Sequence, residues 1–204
     1  QPGAPVPAGS RLVIIPGSKS TMADLAALRR EGWDIDLKAH VRRGGRVLGI
    51  CGGYQMLGRH IHDPDGLEGP AGSVKGLDLL DVETTLAADK TLTRVNGTHL
   101  ASGTPLTGYE IHLGRTTGPD CIRPFARIGA EPDGASSPDG LVTGTYLHGC
   151  FSSDPFRRAY LASLGASASA LRFEAAVEQT LDDLATHLER HLDLGRILSL
   201  AEPV

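Results

Sequence analysis

The segment Arg46-Val47-Leu48-Gly49-Ile50-Cys51-Gly52-Gly53-Tyr54-Gln55-Met56-Leu57 constrains the fold more than any other part of the chain. An apolar run of strand length ends at Gly-x-Cys-x-Gly and passes directly into an amphipathic, helix-like stretch. A strand turning sharply into a helix, with a reactive side chain at the apex, is the layout of a nucleophile elbow. The flanking glycines relieve a strained turn where a β-carbon would meet neighbouring backbone or substrate. A thiol at a helix N-terminus also sits beside unpaired N–H groups and a partial positive charge, which favours the thiolate. The other common use of such a residue, a small buried Cys closing a core strand, leaves the glycines unexplained.

The surrounding pattern extends this unit. Arg11 to Ile15 reads as a short strand ending at Pro16-Gly17-Ser18. Ser20 to Arg30 places Met22, Leu25, Ala26 and Leu28 at helical spacing behind a Ser20 or Thr21 cap. Asp34 to Arg43 predicts a second helix closed by Gly44-Gly45, Arg46 to Ile50 a buried strand, and Gly53 to Arg59 the helix after the elbow. The order β-α-(α)-β-α implies an α/β fold, with a parallel sheet covered by helices on both faces. Asp63 to Gly72, rich in Gly and Pro, reads as a loop. Leu79–Leu86, Lys90–Asn96, Thr107–Leu113, Phe125–Ile128 and Leu141–Tyr146 are β-like, and their turn-rich spacing predicts an antiparallel extension. Asp154–Leu164 and Ala170–His191 read as helices.

Composition narrows the partners. With 204 residues, 40% of them hydrophobic, the chain can bury one sizeable core. A net charge of −4 gives no general reason to expect nucleic acid or an anionic membrane as partner. No apolar run approaches the roughly 20 residues that span a bilayer, so the expected location is cytoplasmic, with no membrane. Cys51, Cys121 and Cys150 are too few and too irregular for a disulfide framework. Gln1-Pro2-Gly3-Ala4-Pro5-Val6-Pro7 lacks a Met and reads as part of a linker, residues 1–10, ahead of one domain over 11–204 whose helical segment covers about 154–200.

A second chemical feature is Gly144-Thr145-Tyr146-Leu147-His148-Gly149, a strand-like run ending in a histidine at the sheet's C-terminal edge. In a chain with a Cys elbow, His148 is the natural general base. His187 and His191 are four apart on a helix, but Leu188 replaces the Glu of H-E-x-x-H and no third ligand is signalled, so no metal is expected. Gly17-Ser18-Lys19-Ser20-Thr21 resembles the tail of a phosphate loop, yet Ser18 and Val13 stand where that pattern needs Gly. The Pro16-Gly17-Ser18 turn better suits backbone N–H groups beside the elbow, one side of an oxyanion hole.

Four separated strings now carry a resemblance: Ile15-Pro16-Gly17-Ser18-Lys19-Ser20-Thr21, Gly49-Ile50-Cys51-Gly52-Gly53-Tyr54-Gln55-Met56-Leu57-Gly58, Gly108-Tyr109-Glu110-Ile111-His112-Leu113-Gly114-Arg115-Thr116 and Gly144-Thr145-Tyr146-Leu147-His148-Gly149. Cys51-Gly52-Gly53-Tyr54-Gln55 resembles the C-x-G-x-Q elbow of triad-type glutamine amidotransferases. The four together resemble the C-terminal glutaminase domain of the cobyric acid synthase family, with cobyrinic acid a,c-diamide synthase and the glutaminase subunit of the lipid II amidating enzyme as relatives. The resemblance implies a class I glutamine amidotransferase-like (flavodoxin-like), mostly parallel sheet. It implies Cys51 as nucleophile, His148 as base, and Gly52 with Gly17 or Ser18 as oxyanion donors. Gln55 would help to hold the substrate glutamine, and Glu110 and Arg115 its charged ends. No cofactor is implied in this chain. ATP and Mg2+ belong to a synthetase domain, normally N-terminal in the same polypeptide, which acts on the corrinoid adenosylcobyrinic acid a,c-diamide in cobalamin biosynthesis.

The sequence departs from the triad pattern at one point: Cys150 stands where the Glu two residues after the histidine is expected. The orienting partner of His148 is then open among a backbone carbonyl, a water, and a carboxylate such as Glu110 or Asp154. Three other functions remain in view: the lipid II glutaminase subunit, a cysteine peptidase or amidase on the same elbow, and a catalytically silent docking domain.

Overall fold

The structure is a computed structural model describing residues 3–88, 91–167 and 170–200. The first two residues of the expected linker, Lys90 at the head of one expected strand, residues 168 and 169 and the last four residues lie outside this range. The chain divides into two compact units, Gln1–Ser167 and Ala168–Val204.

The first unit begins with β1 (Leu12–Ile15), α1 (Thr21–Arg30), α2 (Trp33–Arg42), β2 (Arg46–Ile50) and α3 (Gly52–Leu57). It continues through β3 (His60–Asp63), β4 (Gly72–Lys75), β5 (Glu83–Thr85), β6 (Thr91–His99), β7 (Thr104–His112) and β8 (Arg115–Thr117). It ends with β9 (Ala126–Ile128), β10 (Glu131–Asp133), β11 (Ala135–Ser136), β12 (Val142–Thr145), β13 (Leu147–His148) and α4 (Asp154–Ser163).

Strands β1, β2 and β12 run parallel, with β2 in the middle and β11 antiparallel on the outer side of β12. The side-chain period of two explains why helices cover both faces of this sheet. From β2, Val47 enters one apolar cluster with Leu25 and Leu28 of α1, Leu37 of α2 and Tyr54 of α3. Its neighbour Leu48 enters the other, with Phe156 and Tyr160 of α4. Leu48 is fully buried, so truncation to Ala removes about 2–5 kcal/mol. The α/β class with helices on both faces is as read from the sequence.

The antiparallel extension is larger than the sequence indicates. One five-stranded sheet runs β10-β9-β6-β7-β13, and a four-stranded sheet runs β4-β3-β5-β8. His60 and His62 lie on β3, where both rings meet the Glu83 carboxylate at 3.2 and 3.3 Å. The expected strand Leu79–Leu86 shrinks to Glu83–Thr85. Its first half instead closes turns, with the Leu79 and Leu80 amides donating to the Leu57 carbonyl at 2.9 and 3.0 Å.

Parallel pairing sets the site. The registers Ile15↔Gly49 and Thr145↔Ile50 align the C-terminal ends of β1, β2 and β12. The segments leaving those ends are Pro16–Ser18, the Cys51 turn and Tyr146–His148, so they emerge at one edge, where open α/β sheets gather their ligands.

In the second unit, α5 (Phe173–His191) is followed by α6 (Leu194–Leu200). Phe173, Val177, Leu181, Leu184 and Leu188 form a helical stripe along α5, and Arg190 and His191 complement its C-terminal dipole.

Candidate active site

Cys51 carries φ +52°, a left-handed backbone that L side chains rarely adopt. The strain is held from several sides. The Cys51 amide donates to the Thr145 carbonyl at 2.8 Å, and the Cys51 carbonyl accepts from the Gln55 amide at 3.0 Å. Its Sγ lies 3.4 Å from the Ile111 carbonyl oxygen. The elbow expected from Gly-x-Cys-x-Gly is thus a strained apex wedged between β12, β7 and α3.

His148 arrives on β13, paired with Tyr109 of β7, and its ring stacks on the Tyr109 ring at 5.1 Å and 11°. Gly17 measures how close the thiol and imidazole carriers come. A β-carbon built there would lie 2.9 Å from His148 Cε1 and 3.6 Å from Cys51 Cβ. The two side chains therefore flank the same glycine. They also line one cavity of about 540 Å³, together with Gln55, Ser18 and the Ile111 backbone.

Electrostatics correct one expectation. Burial pushes the Cys51 thiol up, outweighing the Gly52 amide that stabilises the thiolate; the charge of Glu68 raises it further. The helix after the elbow therefore does not make Cys51 a resting thiolate: α3 is only six residues long, and desolvation dominates. His148 moves the other way. Burial lowers its pKa, the Ile111 carbonyl opposes that by hydrogen bonding, and His112 lowers it again. Its Nε2 is buried without a hydrogen-bond partner among the described residues. A protonated thiol beside a neutral imidazole is the ground state for general-base activation.

The Ile111 carbonyl is the hydrogen-bonding group that the His148 ring meets, with the Tyr109 ring as a wall. Neither proposed carboxylate holds that place. Asp154 pairs with Arg157 at 2.5 Å and with Arg158 at 3.7 Å. Glu110 lines a second pocket, of about 450 Å³, with Asp133 and Arg115. Glu110 and Arg115 thus stand outside the lining of the Cys51 cavity, and His112 borders both pockets. Cys150 belongs to the apolar cluster of Phe156, and burial pushes its thiol up to about 12, which makes it a packing group.

The remaining candidates line the Cys51 cavity or border it. Gln55 is buried. Its Nε2 donates to the Leu113 carbonyl at 3.0 Å and to Tyr146 Oη at 3.3 Å, and its Oε1, 3.3 Å from Thr21 Oγ1, shares that hydroxyl's one proton with Glu68 Oε1 at 3.0 Å. The Ser18 hydroxyl turns to Asp24 at 2.6 Å, which leaves the backbone of Ser18 as its contribution to the cavity. Gly52 and Ser18 meet closely: a β-carbon on Gly52 would lie 2.9 Å from the Ser18 nitrogen. Three contributors carry no sequence signal: the Ile111 carbonyl, the Tyr109 ring and Glu68. Among the described residues no His, Cys, Asp and Glu group could hold a metal ion, and no helix is long and apolar enough to cross a membrane.

Comparison with known proteins identifies the family. Residues 2–156 match the CobB/CobQ-like glutamine amidotransferase domain. The cobyric acid synthase of one strain of Cereibacter sphaeroides is 64% identical over 201 residues, covering 98% of this chain and 42% of that protein. That of Paracoccus denitrificans is 63% identical over 200 residues, covering 98% of this chain and 41% of that protein. The chain therefore spans about two fifths of the length of the curated relatives it matches. A solved glutamine amidotransferase shares the fold at TM-score 0.53 and 19% identity, over 76% of this chain and 78% of that one.

Proposed function

From the premise that this chain belongs to the CobB/CobQ-like glutamine amidotransferase family, we propose that Cys51 and His148 hydrolyse glutamine to glutamate and ammonia. Cys51 gives its proton to His148 Nε2 as sulfur attacks the side-chain amide carbon. The tetrahedral oxyanion is held by the amides of Gly52 and of Gly17 or Ser18; one such donor is worth about 3 kcal/mol. The imidazolium then protonates the departing nitrogen, the C–N bond breaks, and ammonia leaves a glutamyl thioester on sulfur. Water, deprotonated by the same imidazole, attacks the thioester carbon and releases glutamate and the thiol. Gln55 braces the cavity through Thr21, Leu113 and Tyr146.

We also assign the ammonia to an ATP-dependent amidation by the portion of the polypeptide that the longer relatives possess beyond this region. The acceptor would be the corrinoid adenosylcobyrinic acid a,c-diamide, and ATP and Mg2+ would be bound there. The names and lengths of the 64% and 63% identical relatives support this assignment.

The observation behind the chemistry is the shared cavity in which the thiol and the imidazole flank Gly17. The test is a glutamine-analogue electrophile, 6-diazo-5-oxo-norleucine, read by mass spectrometry beside glutamate release from glutamine. Adduct on Cys51, with both signals lost in Cys51→Ala, is the expected result. Adduct on Cys121 or Cys150, or glutamate release that survives Cys51→Ala, would overturn it.

A further inference from the structure

The loop between β3 and β4 holds a carboxylate at the mouth of the thiol cavity. Asp63, fully buried at the end of β3, accepts the amides of Leu67 at 2.8 Å and Glu68 at 2.9 Å, and these bonds curl the loop back on itself. Glu68 is thereby carried to the start of α1. Its Oε1 accepts from Thr21 Oγ1 at 3.0 Å and its Oε2 from the Met22 amide at 3.2 Å. The side chain lines the same cavity as Cys51, with Lys19 also on the wall.

We infer that Glu68 receives the α-ammonium group of the amino-acid substrate, an assignment that rests on the glutaminase reading and names its specificity residue. No ion pair of the described residues involves Glu68. A carboxylate offers about four lone-pair sites, and Thr21 and Met22 occupy two, so room remains for a cationic donor. A purely structural cap would not need the charge: Gln at this position could accept from the same two groups. The charge is also unhelpful to the empty site, because it raises the Cys51 thiol. A ligand bearing a cation removes that conflict. With Lys19 on the same wall, an α-amino acid zwitterion finds one charge of each sign beside the nucleophile. Glu110 and Arg115, the pair expected to hold those ends, line the other pocket.

The experiment compares two electrophiles on this chain: 6-diazo-5-oxo-norleucine and its counterpart lacking the amino group, 6-diazo-5-oxohexanoate. The readout is the ratio of their Cys51 labelling rates, in which a change in thiol reactivity common to both probes cancels. Wild type should prefer the amino compound by roughly tenfold to a hundredfold, the range of a hydrogen bond to a charged group. Glu68→Gln should bring the ratio near one, and Glu68→Asp, which keeps the charge, should retain part of the preference even if the α1 contact loosens. A Glu68→Gln variant that slows both probes equally, or keeps the wild-type ratio, would overturn the assignment and leave glutaminase chemistry standing. A wild type labelled by iodoacetamide but by neither diazo compound would sink both.

Discussion

Replacing Gly17 by Ala tests whether the site is assembled around that residue. The added methyl would lie 2.9 Å from His148 Cε1 and 3.6 Å from Cys51 Cβ. Carbon atoms rest at about 3.5–4.0 Å, so the ring has to retreat by roughly 0.5–1 Å. Tyr109 stacks on that ring at 5.1 Å, and the Tyr109–His148 pairing of β7 and β13 fixes the backbone behind it. A displacement of this size between a nucleophile and its base costs about a hundredfold, or about 2.7 kcal/mol of barrier. Stability should respond differently. Gly17 is not among the positive-φ glycines, so Ala fits the backbone, and its smaller unfolded-state entropy contributes about 0.4–1 kcal/mol toward offsetting the collision. The expected result for Gly17→Ala is kcat/KM for glutamate release near a hundredth of wild type, with Tm moved by no more than about 3 °C. Activity within threefold of wild type at unchanged Tm would show that thiol and imidazole do not meet beside Gly17. A large fall in Tm would mean that the strain spreads into the core, contrary to the local collision argued here.

The buried groups give two pH experiments. Burial lowers His148, so kcat/KM should rise with pH through a midpoint below the free imidazole value of about 6.5; a midpoint above it would contradict the neutral-base ground state. Asp133, buried under the Thr145 hydroxyl and the Tyr146 amide, has its carboxyl pushed up to about 6. A folded pKa above the unfolded value of about 3.9 means that ionisation costs stability. That cost is absent below about pH 4 and complete above about pH 6, where it reaches roughly 3 kcal/mol. Asp133→Asn removes it, so urea unfolding should show the variant gaining on wild type between about pH 4 and pH 7; a difference independent of pH would refute this.

Where function depends on local chain order, the sequence is informative. Gly49-Ile50-Cys51-Gly52-Gly53 announces a strand, a strained apex and a helix, and φ +52° at Cys51 is the conformation such an apex needs. His148 is legible because Leu141–Tyr146 reads as a strand, and the parallel pairing of β12 with β2 delivers the residues just beyond it to the side of the elbow. The remaining contributors are long-range in origin. The Ile111 carbonyl has no side-chain signature, since any residue at that place on β7 presents one. Tyr109 reaches His148 only through the β7–β13 register, which depends on a two-residue strand too short to show a pattern. Glu68 sits in a loop whose composition indicates a turn, while its position depends on Asp63 drawing that loop back until it docks on α1. The thiol's ionisation escapes the sequence for a related reason. A helix N-terminus is visible there, but the desolvation that outweighs it comes from residues distant in the chain.

These electrostatics join recognition to reactivity. Burial favours the protonated thiol and the neutral imidazole, so sulfur is a weak nucleophile until something changes the balance. Of the influences that raise the thiol, desolvation can only deepen as a substrate displaces water. The Glu68 charge is the one that a ligand can neutralise, and an ammonium group placed against it does so. A glutamine bound through Glu68 would therefore relieve that part of the opposition to the thiolate by the same contact that identifies it as an α-amino acid, whereas an uncharged amide would not. Such coupling would also protect the sulfur between turnovers, because an idle thiolate is the form most open to oxidation. One loop carboxylate thus adds to the burial that holds the sulfur protonated, and the turn at Cys51 places that sulfur in the cavity that Glu68 and His148 also line.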